Sequence, residues 1–173
     1  MLNIKPPDYK FCPMCGSKLS IRTSEGKDQK YCENCKWIYY PHVVSSVGAI
    51  ILKNNKVLMV KRNIEPYRDT WMFPSGFINY GEHPRESIRR EVKEETSLNV
   101  ISADLIAVEQ AVDDVREPGH FYYLFNVTIE DGDAVTDGEE NKDIAWISLQ
   151  DDPKIGWEIS KRYFMKLKKK EIL

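Results

Sequence analysis

Two apolar runs, parted by an Asn-Asn pair, stand out in residues 43–62, "VVSSVGAIILKNNKVLMVKR". They predict a β-hairpin, because Asn54 and Asn55 both tolerate the positive φ that a tight turn demands. Further apolar-rich runs predict strands at about 100–111, 120–130 ("HFYYLFNVTIE") and 143–149 ("DIAWISL"). Between them the period changes. Ile88 and Val92 recur at helical spacing, and Pro84 suits a first helical turn, so a helix is predicted from Pro84 to about Thr96. Ile159, Tyr163 and Leu167, four apart, predict a closing helix. Its lysine-rich end, "KLKKKE", reads as a solvated terminus where the helix dipole favours cations, rather than as a contact for an acidic surface. Residues 63–77, "NIEPYRDTWMFPSGF", read as a loop. Strands on both sides of one mid-chain helix, with a second helix at the end and no internal repeat, indicate a mixed α/β fold.

The first forty residues do not share this pattern. The stretch "GSKLSIRTSEGKDQKY" is polar and turn-rich, and it can form a short hairpin but no core of its own. It is flanked by two cysteine pairs of identical spacing, Cys12 with Cys15 and Cys32 with Cys35, with no cysteine left over. Two such knuckles fit a tetrahedral four-thiolate site. Structural zinc is the expected occupant, with iron or redox-active thiols as alternatives, and four cysteine ligands leave no open position for catalysis. A boundary near residue 40 separates this metal-folded module, 1–40, from a larger domain, 41–173.

A length of 173 residues, 42% hydrophobic and 30% charged, allows one compact domain with such an appendage. With 25 basic and 27 acidic residues the net charge is -2, so no overall field favours nucleic acid or a membrane surface. No apolar run approaches the roughly eighteen residues of a membrane span, and "MLNIKPPDYK" lacks a signal-peptide core. The expected location is cytoplasmic.

The chemistry concentrates in residues 76–98, "GFINYGEHPRESIRREVKEETSL", which hold five glutamates. At 100° per residue Glu91, Glu94 and Glu95 share an arc of roughly 100°, beside the apolar stripe of Ile88 and Val92. Glu91 and Glu95 are a like-charge i,i+4 pair, which costs a few tenths of a kcal/mol in an isolated helix. One reading is a salt-bridged surface helix, since Glu86 with Arg90 and Arg90 with Glu94 are favourable pairs. The other is an oxygen-rich site for Mg²⁺ or Mn²⁺, because Gly76, Gly81 and Glu82 form a glycine-bearing, acidic loop facing the cluster.

These residues resemble the Nudix box, Gly-x5-Glu-x7-Arg-Glu-apolar-x-Glu-Glu-x-Gly-apolar. Gly76, Glu82, Arg90, Glu91, Val92, Glu94, Glu95 and Leu98 match it, and Ser97 replaces its second glycine. The resemblance implies an α/β/α sandwich and hydrolysis of a nucleoside diphosphate linked to another group. By position it makes Glu91, Glu94, Glu95 and the Ser75 carbonyl metal ligands, Glu82 a supporting acid and Arg90 an orienting partner. Bound metals would offset charge developing on the pyrophosphate and acidify the attacking water. Serine at 97 should cost on the order of 1 kcal/mol or shift the turn, because a left-handed cap favours glycine.

A zinc ribbon before a Nudix domain is similar to the NADH pyrophosphatases. Their Ser-Gln-Pro-Trp-Pro-Phe-Pro-x-Ser motif is replaced here by "VEQAVDDVREPGHFYY". "KRNIEPYRDTWMFPSGFINYGE" is more similar to zinc-ribbon pyrophosphatases of the ADP-ribose and FAD kind, over about residues 10–150. That likeness implies ADP-ribose, or FAD or NADH, as substrate, AMP as a product, and a homodimer. Within "DGEENKDIAWISL" it points to Glu140, or else Glu139, as a further ligand or the base; the alternative is an exposed acidic turn. Tyr67, Trp71, Phe121 and Tyr123 are candidates for stacking a base or belong to the core, and Arg62 and Arg68 are candidates for phosphate. The histidines lack ligand spacing. Rival functions are hydrolysis of oxidised nucleoside triphosphates, and a non-catalytic nucleotide sensor whose ribbon contacts nucleic acid.

Overall fold

The computed structural model describes residues 5–24, 26–136 and 138–173. The start of "MLNIKPPDYK", Glu25, and Asp137 at the head of "DGEENKDIAWISL" lie outside them. The chain divides into two compact units, one ending at Val43 and the other Val44–Leu173.

In the first unit β1 (Ser20–Ser24) and β2 (Lys27–Tyr31) pair antiparallel, as the polar stretch between the cysteines predicts. The buried apolar set is small: among the described residues, Cys12, Tyr31, Cys32 and Tyr39. Tyr9 meets Tyr39 edge-on at 5.1 Å. So few buried side chains cannot offset the ordering of about forty residues, which costs roughly 1–2 kcal/mol each.

The second unit begins with β3 (Ser45–Ile50), β4 (Leu52–Lys53) and β5 (Lys56–Arg62). Asn54 and Asn55 form the β4–β5 turn at φ 51° and 58°, the left-handed values their side chains tolerate. Residues 63–77, read from sequence as a loop, contain two short strands, β6 (Trp71–Met72) and β7 (Ser75–Phe77). Two or three residues are too few to show alternation, and their partners, β5 and β3, supply the order. Helix α1 (Pro84–Thr96), β8 (Val100–Ala111), β9 (His120–Ile129), β10 (Asn141–Ser148) and α2 (Glu158–Lys168) follow.

One sheet has the order β7-β3-β9-β8, with β3 and β9 parallel; the other has β10-β5-β4, with β6 also on β5. Strand alternation sorts the core into two layers. Val47, Ala49, Ile51, Leu58, Phe125 and Val127 pack with Ile88 and Val92 of α1. Ile50, Val57, Met59, Tyr122 and Leu124 pack with Trp157 and with Ile159, Tyr163, Phe164 and Leu167 of α2. The result is the α/β/α sandwich. Among the described residues no helix is long and apolar enough to cross a membrane.

Pro84 opens α1, and His83 caps it by accepting the Arg85 N–H at 3.2 Å. Ser97 closes it in the left-handed conformation, φ 62° and ψ 3°, with its N–H on the Lys93 carbonyl at 3.0 Å. The turn is therefore the one glycine would make, at serine's conformational cost. Ser97 is exposed, so Ser97→Gly should stabilise the protein by about 1 kcal/mol, about 3 °C in melting temperature. A lower melting temperature would mean that the serine side chain contributes something the turn geometry does not.

Candidate active site

α1 packs against β3, β7 and β8, which sets its acidic edge over Ser75 and Gly76 of β7. A Cβ on Gly76 would lie 2.2 Å from the Glu91 carboxyl carbon, so the absence of a side chain at 76 makes room for that carboxylate. Gly48 has a similar part: a Cβ there would lie 1.6 Å from the Tyr122 hydroxyl.

Arg90 ties the loop to the helix. Its Nε and Nη2 each donate to one oxygen of Glu82 at 2.9 Å, and its Nη1 donates to Glu91 at 2.7 Å and Glu94 at 2.9 Å. Nη2 also reaches the Phe77 carbonyl at 3.1 Å. This fork geometry is arginine's alone, and it holds the Glu82 carboxyl down to about 2.

Glu95 lies deeper. The Ser75 N–H donates to its Oε2 at 2.8 Å, and the Asn141 side-chain amide donates to its Oε1 at 3.0 Å. Burial nevertheless pushes its carboxyl up to about 8, with the Glu91 and Glu140 charges adding to the effect. Burial also raises Glu91 above the usual carboxylate range. A group with a raised folded pKa binds more protons folded than unfolded. Its contribution to stability is complete below the unfolded value and is lost as pH rises through the folded one. Metal-free protein should therefore lose stability between about pH 5 and pH 8, by a few kcal/mol, and Glu95→Gln should flatten the trend. Thermal melts in EDTA across that range test this, and a flat wild-type profile contradicts it.

Three carboxylates, Glu82, Glu91 and Glu94, thus stand around one guanidinium. Glu95 is held apart from it by Ser75 and Asn141, and Glu91 and Glu95 are buried and reluctant to ionise. Oxygen donors with uncompensated negative charge suit a hard divalent cation. Arg90 now engages Glu91 and Glu94, and among the described residues the cysteines are the one set of three or more ligand atoms all within 4.8 Å of one another.

A cavity of about 260 Å³ opens beside these acids. Ser75, Gly76, Glu91 and Glu140 line it, together with Ser46, Arg62, Phe77, Arg116, Tyr122 and Trp157. Glu82, Glu94 and Glu95 sit outside the lining, the first two held through Arg90 and the third by Ser75 and Asn141. Glu140 lines the cavity and Glu139 does not. Of the two arginines read from the sequence, Arg62 faces the cavity and Arg68 does not. None of Tyr67, Trp71, Phe121 or Tyr123 lines it; Tyr67 and Trp71 pack on the α2-side core, and Phe121 is exposed. The aromatic wall is instead Phe77, Tyr122 and Trp157. Buried His120 supports that wall. Its Nε2 lies 2.7 Å from the Ser46 hydroxyl, its Nδ1 lies 2.8 Å from the Glu117 carbonyl, and its ring stacks on Trp157.

In the separate N-terminal unit the four sulfurs converge. Cys12 and Cys35 Sγ are 3.5 Å apart, as are those of Cys15 and Cys32, far beyond the roughly 2.05 Å of a disulfide. A tetrahedron with Zn–S bonds of about 2.3 Å has edges of about 3.8 Å, so the set fits zinc. Both knuckles turn alike: the Gly16 N–H reaches the Cys12 carbonyl at 2.9 Å, and the Lys36 N–H reaches that of Cys32 at 2.8 Å. Contacts with the Ser17 hydroxyl and backbone bring the Cys15 thiol down to about 6. Cys35 is pushed up to about 12: a lowering backbone contact at Trp37 is outweighed by burial and the other thiols. Without a cation, the cluster resists full ionisation.

The family profile described as the NUDIX domain matches residues 42–167. The chain belongs to the Nudix hydrolase family. A relative from Methanocaldococcus jannaschii, named ADP-ribose pyrophosphatase, is 30% identical over 147 residues, 84% of this chain and 83% of that protein. The NAD-capped RNA hydrolase NudC of Vibrio atlanticus is 30% identical over 93 residues, but these span only 33% of its length and 53% of this chain. A solved NUDIX hydrolase from Nitrosomonas europaea superposes with a TM-score of 0.76 at 30% identity, covering 91% of this chain and 92% of that one. The NUDIX domain of Shewanella oneidensis NrtR, solved with ADP ribose, shares the fold at TM-score 0.66 and 16% identity, over 77% and 91% of the two chains. The protein is thus a Nudix pyrophosphatase, and α1 with its preceding turn is the Nudix box. In this Nudix domain Gly76→Ala should displace the Glu91 carboxylate and reduce kcat/KM about a hundredfold, with the melting temperature nearly unchanged. Steady-state kinetics beside thermal melts check it, and full activity in the variant contradicts it.

Proposed function

We propose that this chain is a Mg²⁺- or Mn²⁺-dependent pyrophosphatase that cleaves the diphosphate of ADP-ribose, or of FAD or NADH, to AMP and a second monophosphate. The observation that carries the proposal is the buried carboxylate of Glu91 on the wall of a cavity large enough for a diphosphate and part of a nucleoside, with buried Glu95 held behind the lining residue Ser75. The name of the Methanocaldococcus relative supports ADP-ribose. Glu91, Glu94, Glu95 and the Ser75 carbonyl are the residues to hold the cations. When bound, these would polarise phosphoryl oxygens and acidify water.

The chain's own groups do the rest. Arg90 keeps Glu91 and Glu94 aimed, and Glu82 fixes Arg90 in turn. Glu140, at the cavity, takes a proton from the water that attacks phosphorus as the bond to the bridging oxygen breaks. The cysteines hold a structural zinc that folds residues 1–40 ahead of the hydrolase domain, 41–173. Reduced, metal-binding cysteines suit the cytoplasm. Exposed Ile101, Leu105 and Val108 on edge strand β8 support a homodimer, which sedimentation would test.

Purified protein with Mg²⁺ and a nucleotide panel, with products identified by mass spectrometry, tests the substrate. AMP and ribose 5-phosphate from ADP-ribose are expected. Preferred release of pyrophosphate from oxidised triphosphates, or preferred decapping of NAD-capped RNA, would replace that assignment. Binding without turnover would leave the sensor reading.

A further inference from the structure

Two arginines face the cavity from different elements, and the box chemistry uses neither. Arg62, at the end of β5, is 4% exposed. Its Nε donates to the Pro66 carbonyl at 2.9 Å, and among the described residues no carboxylate lies within ion-pair distance of it. A buried guanidinium without a direct ion pair is destabilising unless something else offsets its charge. Burial lowers its pKa and the charge of Arg116 lowers it further, while the charges of Glu140, Glu95 and Asp114 offset this only in part.

Arg116 comes from the loop between β8 and β9. Fully buried Asp114 grips it: Nε donates to Oδ1 at 3.1 Å, Nη2 to Oδ2 at 2.6 Å, and the Arg116 backbone N–H to Oδ1 at 2.9 Å. Its guanidinium lies 5.1 Å from the centre of the Phe77 ring. That grip leaves Nη1 with no protein partner among the described residues. A buried carboxylate spent on one side of a fork fixes where the other side points.

Two like charges are thus held at one cavity by separate devices, against an aromatic wall that weakens solvent screening. Asp114 and Glu140 offset their repulsion in part, and an anion that bridges the two guanidinium groups would offset more of it. We infer that Arg62 and Arg116 form a two-guanidinium clamp for a phosphoryl group of the substrate's diphosphate, with Asp114 as the residue that positions Arg116. The clamp rests on the reading of this cavity as a diphosphate site, and it would divide the labour. Cations at the box acids would neutralise one part of the diphosphate and the arginines the other.

Calorimetric titration of the full chain with inorganic pyrophosphate in Mg²⁺ buffer tests the clamp without turnover. Arg116→Met should raise the pyrophosphate Kd ten- to hundredfold, the strength of charge-assisted hydrogen bonds. Because that variant strands the buried Asp114 charge, Asp114→Asn/Arg116→Met should show the same loss in a fold free of it. Arg116→Lys should restore only part of the affinity, since a point charge cannot replace the fork. Asp114→Asn alone should raise Kd and the KM for ADP-ribose severalfold while kcat stays within about twofold, a split that general destabilisation would not give. Unchanged pyrophosphate affinity in all four variants, or none in the wild type, overturns the clamp. ADP-ribose hydrolysis with unaltered Arg116 variants would remove the clamp and keep the proposed function. Loss of pyrophosphate binding in the variants, in a protein that does not hydrolyse ADP-ribose, would do the reverse.

Discussion

Glu94→Gln is expected to reduce kcat for ADP-ribose between about a hundredfold and a thousandfold, about 3–4 kcal/mol of transition-state stabilisation, with the melting temperature almost unchanged. The side chain is 57% exposed, and its one ion pair among the described residues is with Arg90 at 2.9 Å, while Arg90 keeps Glu82 and Glu91 as partners. Exposed i,i+4 pairs contribute only about 0.3–0.5 kcal/mol. If α1 were merely a salt-bridged surface helix, this substitution would be silent in catalysis as well as in stability. A large loss of turnover without loss of fold separates the two readings of the acidic helix edge. Raising Mn²⁺ should recover part of the rate, since the variant still has Glu91 and Glu95. Wild-type kinetics in Glu94→Gln would remove this residue from the cation set.

The second large effect lies in the cysteines. Removing the metal with a strong chelator, or replacing Cys32 with Ser, should unfold the N-terminal unit while Val44–Leu173 stays folded. The asymmetry follows from burial: the larger unit holds two extensive apolar layers, and the smaller one buries two tyrosines and two cysteines among its described residues. Structural zinc supplies an apparent 10–16 kcal/mol or so in small zinc-folded peptides, more than such a core can. Metal analysis should give one zinc per chain, and limited proteolysis should cut within the β1–β2 hairpin after chelation but not before. Absence of zinc, or protection that survives chelation, contradicts the assignment.

Elements with long periodic signals were legible in the sequence. Pro84 and the Ile88–Val92 stripe mark α1, the Asn54-Asn55 turn marks its hairpin, and Ile159, Tyr163 and Leu167 all face the core from α2. β6 and β7 were not, because their order comes from pairing with β5 and β3. The box acids were legible because their spacing is local to one helix. The cavity wall was harder, since which parity of β9 faces inward depends on sheet pairing: Tyr122 is buried while Phe121, one residue earlier, is 42% exposed. Arg116 and Asp114 sit in a segment with no periodicity. Their one local signal is an acid two residues before an arginine, which many solvated loops share. Ser97 shows the opposite case, a departure visible in the sequence that the backbone absorbs without changing the turn.

Crystals soaked in Mn²⁺ and measured at the manganese absorption edge test the central claim most directly. Anomalous density bounded by the Glu91, Glu94 and Glu95 carboxylates and the Ser75 carbonyl is the predicted result. A soaked crystal with no anomalous peak there, from protein whose turnover is indifferent to EDTA, would contradict it.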